Sequence, residues 1–154
     1  YLRYFHGLRF QSHGGILRGV GDNESYGVDG IALMRHQLPA TDQFALEADG
    51  EEVLLEALPM LIEAGFQNAG LAAMEVDGFS SLPIGIEWST MLRVPDKDER
   101  LRMRSLRTAG EEGGVTVHDV VIVGSDDAPV LALKGLRLKA MAPVPDDQKF
   151  SLER

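Results

Sequence analysis

The chain has 154 residues, 44% apolar and 25% charged, which suits one soluble globular domain, or at most two small ones, and argues against disorder. Its 15 Lys and Arg against 24 Asp and Glu leave a formal net charge of −9, which weighs against nucleic-acid and anionic-membrane partners, since both need a surplus of basic side chains. Zero cysteines exclude a disulfide scaffold, a thiolate metal site and a cysteine nucleophile, and no apolar run approaches the ~20 residues of a membrane span.

The chain starts at Tyr1 rather than Met, and its first residues (YLRYFHGLRF) already read as ordered structure, so a piece of a longer polypeptide is expected. Residues 7–20 read as a strand, with the Gly14-Gly15 pair marking a bulge or a close approach to the backbone. VGDNES follows as a turn, and Ile31–Leu38 reads as a second strand ending at Pro39. The segment 51–73 is rich in helix formers with almost no β-branched run. Pro59 must start or kink it, which places the core helix at Pro59–Leu71, with Gly70 near its stop. That helix is apolar on most sides, so burial against more than one surface is expected.

The second half reads as four strands, 82–94, 100–107, 115–124 and 129–141, joined by turn-rich connectors as in an antiparallel meander. Gly135 interrupts the alternation of the last strand and suits a bulge. From residue 143 onward the chain reads as a tail or linker stub, leaving 1–142 as a single domain. Two strands, one long helix and four strands make an α+β layout in which one helix is wrapped by a curved antiparallel sheet, the hotdog arrangement.

Between Pro59 and Ala73 the only ionisable residue is Glu63, and Gln67 lies four residues on, hence on the same helix face. A carboxylic acid in apolar surroundings has its charged form desolvated, the condition a general acid needs near neutral pH, and a same-face amide orients it without adding charge. The competing reading is a solvated stripe: at ~100° per residue, Glu52, Glu56, Glu63 and Gln67 fall within about 60° of one another. None of His6, His13, His36 and His118 forms a recognisable catalytic constellation, and each reads as a surface or structurally satisfied imidazole. His118 and Asp119 point to opposite faces of a strand, so they form no pair. The alternating Arg run in 99–107 reads as the solvated face of a strand, one an acidic carrier protein would suit.

The run LPMLIEAGFQNAGL resembles the central-helix motif of the hotdog-fold β-hydroxyacyl-thioester dehydratases, in which a Pro and an aliphatic pair precede an acid followed four residues later by Gln or His. HGLRFQSHGGI, with Gly7, Phe10 and Gln11, is similar to the opening strand of the C-terminal hotdog half of polyketide synthase dehydratase domains. LPIGIEWSTMLRV and LALKGLRLKAM are similar to later strands of that half, in the same order. The chain departs from the pattern at His6, Leu8 and Leu58, and carries Glu63 where these synthases mostly have Asp. The family's catalytic His motif belongs to the other half and is absent here.

The resemblance implies half of a double hotdog that eliminates water from a β-hydroxyacyl thioester in polyketide or fatty-acid-like biosynthesis. Glu63 and Gln67 would be catalytic, and Phe10, Pro59, Phe66 and Trp88 would contact substrate. The expected partners are the N-terminal hotdog half, which supplies the His, and an acyl carrier protein, within a homodimeric cytoplasmic synthase. No metal or cofactor is expected beyond the carrier's phosphopantetheine. The alternatives are a catalytically silent acyl-binding or structural module, a dimeric hotdog thioesterase, and a double-hotdog cyclase or isomerase.

Overall fold

A computed structural model describes residues 13–20, 27–32, 52–96, 99–111 and 113–145. Its elements in chain order are β1 (His13–Val20), β2 (Gly27–Ala32), α1 (Glu52–Asp77), β3 (Phe79–Gly85), β4 (Trp88–Met91), β5 (Leu101–Glu111), β6 (Val115–Val123) and β7 (Pro129–Pro143). All seven strands form one antiparallel sheet in the order β1-β2-β5-β6-β7-β3, with β4 also paired to β7. The sheet curls around α1 in a hotdog fold.

The helix is longer than its sequence pattern suggests. It runs unbroken through Pro59 and past Gly70. A proline inside a helix costs about 3 kcal/mol through its missing N–H and its clash with the preceding turn. Packing on both sides of it outweighs that cost: Leu58 before it and Leu61, Ala64 and Ala69 after it all meet the core. The helix ends instead at Gly78, whose φ of 69° provides the left-handed stop and whose N–H donates to the Met74 carbonyl at 3.1 Å.

Strand alternation puts Leu101, Met103, Ile122, Leu131, Leu133, Leu136 and Leu138 against the small residues of α1, Ala64, Ala69 and Ala73. Small side chains on the helix let it lie close to the sheet.

Several strand boundaries differ from the sequence reading, β5 among them, which runs on to Glu111. β2 starts at Gly27, four residues before Ile31, although Gly27, Asp29 and Gly30 are poor strand formers. Ladders on both sides hold it, and Asp29 is bound by arginines of β1 and β5. Residues 33–38 of the expected strand, like Gly7, Phe10 and Gln11 of the opening motif, lie outside the described residues.

The expected strand 82–94 is two strands that lie end to end along the 15-residue β7. The break falls at Ile86 and Glu87, opposite Gly135, the bulge read from the sequence. Gly135 has φ 61°, its N–H donates to Asp119 Oδ1 at 3.0 Å, and a Cβ there would meet the Glu87 side chain at 2.8 Å. The Gly14-Gly15 bulge is also present, as a register shift between His13 and Gly15. At the far end β7 reaches Pro143, and buried Val144 donates its N–H to the Gly78 carbonyl at 2.8 Å.

Candidate active site

Glu63 and Gln67 stand one turn apart on α1, and Gln67 Nε2 donates to Glu63 Oε1 at 3.0 Å. The same-face spacing in the sequence is therefore a real contact. Gln67 is only 3% exposed and Glu63 is half-buried, so this end of the stripe is not a fully solvated one. A buried amide that donates to one carboxyl oxygen fixes the plane of that carboxyl while carrying no charge of its own. The pair can hold and deliver a proton in a defined direction.

Of the other expected site residues, Phe66 is half-buried and packs against the core beside this pair. Pro59 is exposed one turn before Glu63. Trp88 stands on β4, 47% exposed and outside the core cluster. The structure thus brings Glu63, Gln67 and Phe66 together on one stretch of helix, while Trp88 lies on the outer part of the sheet.

Asn68 is the functional-looking residue that the sequence reading missed. It is fully buried, and its Nδ2 donates to the Val28 carbonyl and to Ser105 Oγ, each at 3.0 Å. Its Oδ1 lies 3.0 Å from His13 Nε2. Because the amide nitrogen supplies both donations, Oδ1 must accept, and His13 Nε2 must carry the hydrogen. His13 Nδ1 then accepts the Gly15 N–H at 3.1 Å. Gly30 makes room for this chain of bonds, since a Cβ there would lie 2.3 Å from Asn68 Oδ1. A short polar side chain in the middle of an apolar helix was the available signal, because asparagine is a poor interior helix former unless it has partners to bind.

The two described histidines are both engaged inside the fold. Burial lowers the His13 pKa below its ordinary 6.5, against the bond to Asn68, and the tautomer above places its lone pair on the Gly15 N–H. His118 is 1% exposed, and its Nε2 lies 3.0 Å from Thr116 Oγ1. Burial, together with the Arg107 charge, pushes its pKa down to about 4. Asp119 points the other way, to Gly135 and to Lys134 Nζ at 3.3 Å, as strand geometry requires.

In the arginine run, Arg102 and Arg104 lie on the outer face of β5, whereas Arg107 turns inward and pairs with Asp77. Asp29, 9% exposed, receives Arg104 through two bonds of 2.6 and 2.8 Å and Arg18 through one of 3.1 Å. Burial raises its pKa, but these bonds and charges outweigh that and leave it below the usual carboxylate value. Among the described residues no group of three or more His, Asp or Glu could hold a metal ion, and no helix is long and apolar enough to cross a membrane.

A family model described as the polyketide synthase dehydratase N-terminal domain matches residues 27–148. No curated protein matches the sequence. Among solved structures, the chain is similar to smu.793 from Streptococcus mutans bound to acetyl CoA, with a TM-score of 0.59 at 10% identity, covering 88% of this chain and 94% of that one. It is also similar to a hypothetical thioesterase with coenzyme A from Streptococcus pneumoniae, with a TM-score of 0.58 at 13% identity over 87% and 91% of the two chains. The PaaI protein of E. coli gives a TM-score of 0.53 at 13% identity over 82% and 81%. At such identities these likenesses establish the fold.

Proposed function

Because the chain belongs to the polyketide synthase dehydratase family, we propose that it supplies the acid of a dehydratase acting on a β-hydroxyacyl thioester carried by an acyl carrier protein. The observation that carries this reading is the bond of 3.0 Å from buried Gln67 to Glu63. A base removes the α-proton, and the electron pair forms the new α,β double bond. Glu63 gives its proton to the departing β-hydroxyl, which leaves as water, and Gln67 holds the carboxyl in line. In this reading the base comes from a His of a second hotdog half; of the histidines here, the two described ones, His13 and His118, are set in the fold and bonded there.

The family model that matches is named for the N-terminal domain, whereas the helix motif with its acid resembles the C-terminal half. The Glu63–Gln67 pair supports the acid-bearing half. What supports a second half beside this one is β3, which ends the sheet among the described residues with Leu82 51% and Ile84 56% exposed along it. An apolar edge strand of this kind is a template for pairing with another sheet.

The test is the intact parent dehydratase with a β-hydroxyacyl carrier substrate, followed by mass spectrometry. Loss of one water in the wild type, and its absence in a folded Glu63→Gln variant, is the expected result. Undiminished dehydration by the variant, or release of a free acid by thioester hydrolysis, would overturn the assignment.

A further inference from the structure

Strand register builds a charged row on the side of the sheet away from α1. Arg18 of β1 stands opposite Asp29 of β2, Asp29 opposite Arg104 of β5, and Arg104 opposite Val121 of β6. Residues opposite one another in antiparallel strands share a face, while their sequence neighbours Met103 and Ile122 take the other face and join the core. Arg102, two residues before Arg104, and its partner Val123 add to the same row. A register shift between Ile16 and Arg18 leaves Leu17 out of the ladder and 52% exposed.

A cavity of about 320 Å³ opens over these residues. The side chains of Arg18, Arg102 and Arg104 help to line it and are 64%, 49% and 45% exposed, so a dissolved ligand can reach them. Asp29 holds two of the three, taking Arg104 through Nε and Nη2 and Arg18 through Nε alone. Arg102 bonds to Asp127 through Nη2. Donors that these bonds do not use remain on both Nη atoms of Arg18, on Nη1 of Arg104, and on Nε and Nη1 of Arg102. A guanidinium clamped on one edge by a carboxylate has already lost rotamer freedom, so binding on another edge costs little further ordering.

The charges narrow the chemistry of that ligand. Three guanidiniums against the two carboxylates Asp29 and Asp127 leave this lining at +1, in a chain of formal net charge −9. One negative charge balances it, whereas a dianion overshoots. A planar carboxylate also matches the guanidinium fork. Leu17, Val121 and Val123 supply an apolar wall beside the cations, which suits a short alkyl chain.

We propose that this cavity is a binding site for a short-chain monocarboxylate, its carboxylate on Arg18, Arg102 and Arg104 and its alkyl chain against Leu17, Val121 and Val123. The site lies across the sheet from Glu63, needs no catalytic step and stands independently of the dehydratase reading.

The probe is butyrate, titrated at fixed ionic strength into the isotope-labelled full chain and followed by the backbone amide resonances of Arg18, Asp29, Arg104 and Val121. These four should shift saturably, and equally in a Glu63→Gln variant. Acetate, two methylenes shorter, should bind about fivefold more weakly, and butyramide, which lacks the charge, should give no saturable shift. Arg102→Gln should weaken butyrate about fivefold, because it takes the lining from +1 to neutral. Asp127→Asn takes it the other way and should tighten butyrate by a similar factor. Both variants should fold as the wild type does, since they break only an exposed ion pair and asparagine accepts the φ of 64° at position 127. Equal binding of butyramide and butyrate would reduce the cavity to an apolar groove. Tighter binding of inorganic phosphate than of butyrate would make it a phosphate site. Either result, indifference to both charge variants, or the absence of saturable shifts at these residues overturns the proposal.

Discussion

Acidifying the protein from pH 7.5 to about 5 should cost it about 2 kcal/mol of stability through His118 alone. The imidazole is 1% exposed, and burial, helped by the Arg107 cation and opposed by Asp119, moves its pKa from 6.5 to about 4. The folded state therefore keeps the ring neutral in a range where the unfolded chain takes up a proton. The stability contribution is complete above the unfolded value of 6.5 and is lost as pH falls through it, until the folded ring titrates near 4. At ~1.4 kcal/mol per pKa unit the whole window is worth about 3 kcal/mol, and about two-thirds of it is gone at pH 5. Urea unfolding of wild type and His118→Gln at the two pH values isolates the term. His13, whose pKa is also lowered by burial, adds a loss of the same sign to both proteins and cancels in the comparison. The variant should lose about 2 kcal/mol less than wild type on acidification. Equal losses in the two, within ~0.5 kcal/mol, would show that the ring is solvated or already charged in the fold.

Four further outcomes follow from the same structure. Gln67→Ala removes the bond of 3.0 Å to Glu63, and should lower dehydration about tenfold in the parent enzyme and shift the pH-rate profile. Asn68→Ala strands the Val28 carbonyl, Ser105 Oγ and His13 Nε2 and should cost about 3 kcal/mol in urea unfolding; a loss under ~1 kcal/mol would mean the chain of bonds is replaceable. Gly30→Ala drives a methyl to 2.3 Å from Asn68 Oδ1 and should destabilise by a comparable amount, with little further cost when combined with Asn68→Ala. Gly135→Ala meets both a left-handed φ of 61° and the Glu87 side chain, so a loss of about 2 kcal/mol in calorimetry is expected, and Glu87→Ala should relieve part of it.

The acid pair was legible because a single ionisable group in an apolar helix, with an amide four residues on, depends only on helical spacing. The Gly135 bulge was legible for a similar reason, since a glycine that breaks a strand alternation leaves a local mark. Asn68 left only a hint, a short polar residue in an apolar helix, because its partners come from β1, β2 and β5, far away in sequence. The run through Pro59 and the early start of β2 were hidden for the same cause. In both places local preference pointed one way, and packing or two-sided pairing overrode it.

By itself the sequence determined the α+β class, the one central helix, the meander of strands, and the acid and amide on a common helix face. These follow from periods of 3.6 and 2 residues, which are properties of short stretches of chain. Only the tertiary structure decided that the helix spans residues 52–77, that His13 is bonded inside the fold and His118 is buried, and that Arg107 turns inward to meet Asp77 at the helix end. Those outcomes depend on which elements the curling sheet brings against α1, and on the several kcal/mol by which packing and satisfied buried bonds exceed local preference.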